Sequence, residues 1–164
     1  MSMFPRRLVH LAELTLADAR ESKLKIVTAE SCTGGLIAGL LTEIAGSSDV
    51  VERGFVVYSN EAKRDILDVP GDLIADFGAV SEPVARSMAE GALKNSRGHI
   101  AVSVTGIAGP GGGTPMKPVG LVHFGAARHG RSILHEMQLY GDIGRAEVRI
   151  KAVETALNLV RRMM

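Results

Sequence analysis

Tryptophan is missing from the 164 residues, and other aromatics are scarce, with four Phe and two Tyr. A stacking platform for unpaired bases needs several such rings, so single-strand binding is not expected. Charge of one sign is also missing: 19 basic residues meet 18 acidic ones, for a net charge of +1. The only basic clusters are short, such as Arg161-Arg162. Nucleic-acid binders carry a basic excess or stripe, so no nucleic-acid partner is expected, while a small anion stays compatible. Cys32 is the only cysteine, which excludes an intrachain disulfide and favours a reducing compartment. No apolar run reaches the roughly 18 residues of a membrane span. The opening MSMFPRRLVHLAEL lacks the long apolar core and cleavage site of a secretory signal. A cytoplasmic chain with no membrane partner is the expectation.

What is present is a globular composition, 46% apolar, enough for one sizeable core and a single domain over residues 1–164. An amphipathic helix over 4–21 comes first, with Leu8, Leu11, Ala12 and Ala19 at helical spacing. KLKIVT (23–28) reads as a buried strand ending at Ala29-Glu30, and LIAGLLTEIAG (36–46) as an apolar helix. Phe55 to Tyr58 reads as a second strand, followed by a short helix EAKRDIL (61–67) capped by Ser59 or Asn60. DLIADFG adds a helical turn or two. Ser81-Glu82-Pro83 starts a helix whose buried face is Val84, Ala85, Met88, Ala89, Ala92 and Leu93. HIAVSVT (99–105), VGLVHFGAA (119–127) and SILHEMQLY (132–140) are strands, the last two a hairpin through 128–131. The final helix follows Gly144, with a stripe of Ala146, Ile150, Val153, Leu157, Val160 and Met164. Alternating strands and helices imply a three-layer α/β/α sandwich on a five-stranded, mainly parallel mixed sheet, with one antiparallel strand from the hairpin.

Ligands of such sheets bind beyond the carboxyl ends of the strands. Three strands end in polar segments: Ser31-Cys32-Thr33, Tyr58-Ser59-Asn60 with Lys63, and Thr105 before a glycine-rich stretch. Ser31, read alone, is a helix cap; read with its neighbours, it is a nucleophile on a strand-to-helix turn. The turn is not the G-x-S-x-G elbow, since Ala29 and Thr33 hold the glycine positions. The amides of Cys32, Thr33, Gly34 and Gly35 would bind a phosphate or an oxyanion. Lys63, in the first turn of a helix, is a solvated cation or, with its pKa lowered, a base for Ser31. Tyr58 would relay the proton or hold Lys63. Cys32 is either a rival nucleophile or a small core filler.

The stretch GIAGPGGGTPMKP (106–118) holds three of the six prolines. It is neither a Walker loop nor a dinucleotide fingerprint in its setting. Stiffened by proline, it reads as a wall whose glycines, Gly106, Gly109, Gly111, Gly112 and Gly113, present backbone amides to a ligand. Histidines 10, 99, 123, 129 and 135 have no metal-ligand spacing, and no metal is expected. Arg145 and Arg149 share a helix face, and Arg145 is the one expected to reach the site.

AESCTGG (29–35), YSNEAK (58–63), GAVSE (78–82) and TGIAGPGGGTPMKPVG (105–120) together resemble the C-terminal domain of CinA, which also occurs alone as nicotinamide-nucleotide amidase. The resemblance covers residues 8 to 162. It implies an anticodon-binding-domain-like fold and hydrolysis of the carboxamide of nicotinamide mononucleotide (NMN) to nicotinic acid mononucleotide and ammonia. It further implies Ser31 as catalytic serine, Lys63 as lysine, Tyr58 and Thr105 in support, no cofactor, and a homodimer. The family more often has G-D-R where this chain has Gly141-Asp142-Ile143-Gly144-Arg145, which loosens any phosphate role for Arg145. The pyrophosphatase activity associated with the larger N-terminal domain of full-length CinA is not implied, since only the C-terminal domain is matched. A non-catalytic nucleotide-binding module and an interaction module in competence or DNA damage are the alternatives.

Overall fold

The computed structural model describes residues 1–164. In chain order the elements are α1 (Arg6–Glu21), β1 (Ile26–Glu30), α2 (Leu36–Glu43), β2 (Val51–Val56), α3 (Asn60–Leu67), α4 (Gly71–Phe77), α5 (Glu82–Lys94), β3 (Ile100–Gly106), β4 (Leu121–Arg128), β5 (Leu134–Leu139) and α6 (Arg145–Arg162). The strands form one sheet in the order β2-β1-β3-β4-β5. β1 pairs in parallel with both β2 and β3, and β4 pairs antiparallel with β3 and β5. Only β4 therefore opposes the common direction, as the hairpin predicts.

Burial explains the order. β1 is buried along its whole length and β3 is buried up to Gly106. Runs of this kind need covering on both faces and take the middle of a sheet. β2 and β5 are half exposed and lie at the edges. Successive strand residues point to opposite faces. Ile100, Val102, Val104, Val122, Phe124 and Ala126 join α1, α2 and α6 in one core, while Val27, Ala29, Ala101 and Ala127 join α3 and α5 in the other. The face predicted for α5 is buried at all six positions. No helix is long and apolar enough to cross a membrane.

Three local expectations are corrected. The first strand starts later than Lys23, which takes a left-handed φ of 56° that closes α1, and it ends at Ala29-Glu30 as expected. The second strand is Val51–Val56, not 55–58. Only the amide of Val57 still reaches β1, donating to Glu30 O at 2.9 Å, and the chain then turns inward. On α6, Ala146 is exposed, and the buried arc is wider than the predicted stripe, adding Val148, Ala152, Ala156 and Leu159. The arc is wide because α6 packs on the sheet, α1 and α2 together.

Candidate active site

The parallel strands β1, β2 and β3 bring their carboxyl ends to one edge, and the predicted convergence occurs there. Ser31, Cys32, Tyr58, Asn60, Lys63, Thr105, Gly106 and Arg145 line one cleft of about 180 Å³, together with Ala79, Val80 and Ala108. Thr33, Gly34 and Gly35 lie behind it in the turn. Gly109 reaches the cleft's mouth only through its carbonyl, which accepts from Arg145 Nη1 at 2.8 Å. Gly111, Gly112 and Gly113 are exposed and do not line it.

Ser31 follows β1 directly, and its amide donates to Val104 O at 3.0 Å. The turn after it depends on two consecutive left-handed residues, Gly34 (φ 57°) and Gly35 (φ 100°). A Cβ on Gly34 would also press on Arg149 Nη2 at 3.2 Å. Ser31 does not cap α2. That task falls to Glu30, fully buried, whose two carboxylate oxygens accept from the amides of Ile37 (2.9 Å) and Ala38 (3.0 Å). A carboxylate there satisfies orphan donors and meets the positive end of the helix dipole. Ser31 is thus free for other chemistry, which overturns the cap reading. Within the turn, Gly34 N and Leu36 N are spent on Ser31 O and Thr33 O. The amides of Cys32 and Thr33 have no protein acceptor.

Lys63 is 1% exposed and has no carboxylate partner. Its Nζ lies 3.1 Å from Ser31 Oγ, 3.0 Å from Val57 O and 3.1 Å from Tyr58 O, with Ser59 O at 3.5 Å. The strand that leaves its ladder at Val57 supplies these carbonyls. Ser59 also caps α3, its hydroxyl accepting from Ala62 N at 3.0 Å, which aims the first turn inward. Burial without a counter-ion lowers the Lys63 pKa from its ordinary value, since desolvation disfavours the ammonium. A neutral amine has two N–H donors and one lone pair. Val57 O and Tyr58 O can take the donors, leaving the lone pair for the Ser31 hydroxyl.

Tyr58 meets Lys63 through its backbone carbonyl. The residue is 62% exposed and its phenol accepts from Arg145 Nη2 at 3.3 Å, so Tyr58 and Arg145 form the rim. Thr105, buried, donates its hydroxyl to Ala79 O at 2.9 Å and pins the wall at Ala79-Val80 to β3. Cys32 is buried, and burial pushes its thiol up to about 11, far from the thiolate a nucleophile needs. Arg149 binds the turn from behind, Nε to Cys32 O at 3.0 Å and Nη2 to Thr33 O at 3.4 Å. The one-turn spacing had placed Arg149 on the right face, but its targets are backbone carbonyls that carry no side-chain signal. Glu30 as the helix cap also escaped the sequence reading; its one mark is an acid just before a turn.

Comparison with known proteins identifies the family. The sequence pattern of the CinA C-terminal domain matches residues 9–164. A CinA-like protein of Mycobacterium sp. (strain JLS) is 52% identical over 140 residues, which cover 85% of this chain and 33% of that protein. A CinA-like protein of Kosmotoga olearia is 46% identical over 154 residues, covering 94% of this chain and 37% of that protein. The chain thus spans about a third of the length of these curated relatives. Among solved structures, the competence/damage inducible protein CihA of Agrobacterium tumefaciens is 54% identical with a TM-score of 0.97, covering 99% of this chain and 98% of that one. A CinA superfamily protein of Escherichia coli is 28% identical with a TM-score of 0.91, covering 99% and 95%. The chain belongs to the CinA C-terminal domain family.

Proposed function

We propose that this chain is an amidohydrolase that releases ammonia from the carboxamide of nicotinamide mononucleotide, with Ser31 as nucleophile and Lys63 as base. The observation that carries the reading is the buried Lys63 Nζ, 3.1 Å from Ser31 Oγ and free of any carboxylate. A lysine held only by carbonyls and a hydroxyl, with its pKa lowered, is the activated form used in Ser-Lys catalysis.

Lys63 takes the Ser31 proton while Oγ attacks the carboxamide carbon. The unpartnered amide of Cys32, on the cleft wall, is the donor for the oxyanion. Collapse breaks the C–N bond, and Lys63 returns its proton to the departing ammonia. A water then gives a proton to Lys63 and attacks the ester, Ser31 recovers its proton, and nicotinic acid mononucleotide leaves. A cleft of about 180 Å³ is smaller than pockets enclosing whole ligands, about 300–1,000 Å³. It suits the pyridine carboxamide, with the ribose phosphate at the mouth beside Asn60, Tyr58 and Arg145. Thr105 holds the wall, and the loop at Gly109 holds Arg145.

Ammonia release from NMN by the purified protein tests the reading, run beside Ser31→Ala and Cys32→Ala. The expected result is activity lost in the serine variant and kept in the cysteine variant, with hydroxylamine trapping an acyl group on Ser31. Loss in the cysteine variant alone would transfer the nucleophile to Cys32. NMN binding with no ammonia from the unmodified protein would refute the amidase and leave a nucleotide-binding module.

A further inference from the structure

A second cavity, of about 570 Å³, lies on the other side of the wall that closes the cleft. Val80 lines both spaces. Phe77, Met116, Met137 and Leu139 give the second cavity an apolar lining. All four of these side chains are about half exposed or more. A volume between about 300 and 1,000 Å³ with a few polar groups is usual for a small-molecule site.

The polar group that gives this cavity its chemistry is His123, which is 9% exposed. His123 and His135 lie on neighbouring strands as diagonal partners, since His123 faces Met137 and Gly125 faces His135 in the register. Their rings stack at 5.1 Å, and His123 Nδ1 lies 2.8 Å from His135 Nε2. His135 Nδ1 in turn lies 3.0 Å from Glu82 Oε1. Tautomers propagate along such a chain. The Glu82 carboxylate only accepts, so His135 Nδ1 carries a proton. Burial lowers the pKa of both histidines, that of His123 to about 4, so both are neutral near pH 7. His135 Nε2 is then an acceptor, and His123 Nδ1 must donate to it. That leaves His123 Nε2 as a bare lone pair with no protein partner, on a residue that lines the cavity.

We infer that the cavity lined by Phe77, Met116, Met137, Leu139 and His123 is a second small-molecule site, for a largely apolar compound whose O–H or N–H donates to His123 Nε2. Lys117 and Glu82 both line the cavity, so its rim carries one charge of each sign and the neutral donor of the ligand is read by His123. The site is separate from the cleft and does not depend on the amidase reading.

Phenol and anisole are matched probes, a ring with and without the donor. In the 164-residue chain with ¹⁵N-labelled histidine, phenol should bind saturably and move the His123 Nε2 resonance as its lone pair accepts the hydrogen bond. Anisole should bind about 2- to 10-fold more weakly, the range of one net hydrogen bond. His123→Phe should abolish the preference, and Met137→Arg, at an exposed position, should abolish binding of both. Equal affinities, an unmoved His123 resonance, or phenol binding unchanged in Met137→Arg would each overturn the proposal. So would a His123 resonance that moves with protein concentration alone, which would assign the cavity to a second copy of the chain.

Discussion

Replacing Lys63 by methionine removes the amine and keeps most of the apolar stem. The carbonyl of Val57 then loses the donor at 3.0 Å and that of Tyr58 the donor at 3.1 Å, although Ser31 Oγ, at 3.4 Å, can still reach Tyr58 O. One orphaned buried acceptor costs about 1–3 kcal/mol. The loss is offset because the buried amine, itself held without a counter-ion, is gone. A net change within about 2 kcal/mol is expected, so the variant folds. Activity is another matter. A positioned base contributes about 10²–10⁴-fold, and kcat for ammonia release should fall by that factor. Ser31→Ala/Lys63→Met should be no worse than Ser31→Ala, because the two act as one unit. Lys63→Arg tests whether the amine or merely its charge is needed. Arginine does not deprotonate in proteins, so this variant should be as slow as the methionine variant. The pH profile has a definite sign. Proton acceptance needs the neutral amine, so kcat/KM should rise with pH through the depressed Lys63 pKa, which lies below 10.5. It should be lost as pH falls below that value, and the rise should vanish in Lys63→Met. A Lys63→Met enzyme within ten-fold of the parent rate, or an active Lys63→Arg enzyme, would refute the assignment.

Two further outcomes concern stability. Glu30→Gln replaces an acceptor-only carboxylate facing two helix amides with a group that puts an amide against one of them. Urea unfolding should show a loss of about 2–4 kcal/mol, the worth of charge-assisted bonds at a helix start. The His123 imidazole, lowered from 6.5 to about 4, stays neutral in the fold while the unfolded chain takes up a proton. Stability from this group is therefore complete above pH 6.5 and lost as pH falls toward 4. At 1.36 kcal/mol per pH unit the loss reaches up to about 3 kcal/mol, read from urea midpoints across that window. His123→Gln should flatten the slope.

Much of this protein is legible before folding. Element type and order follow from period and punctuation: the buried face of α5 is written in its apolar spacing, and its start in Ser81-Glu82-Pro83. The one antiparallel strand follows from a short hairpin connection. Parallel strands must place their carboxyl ends on one edge, so Ser31, Lys63 and Thr105 could be grouped from topology. Boundaries were less legible. The strand ends early at Val56 because the next carbonyls, of Val57, Tyr58 and Ser59, turn toward Lys63, a contact between backbone and a distant side chain.

What the sequence by itself determined was the list of chemical groups and the edge of the sheet that holds them. Only the tertiary structure decided which group meets which. It gave the α2 cap to Glu30 rather than Ser31, because the carboxylate reaches two amides at once. It sent the Tyr58 phenol to Arg145 and its carbonyl to Lys63. It moved Gly111 to Gly113 away from the cleft, and it linked His123 to His135 and Glu82. Local pattern records what a residue prefers along its own element. Desolvation, carbonyl direction and tautomer arise only when separate elements close over the same space.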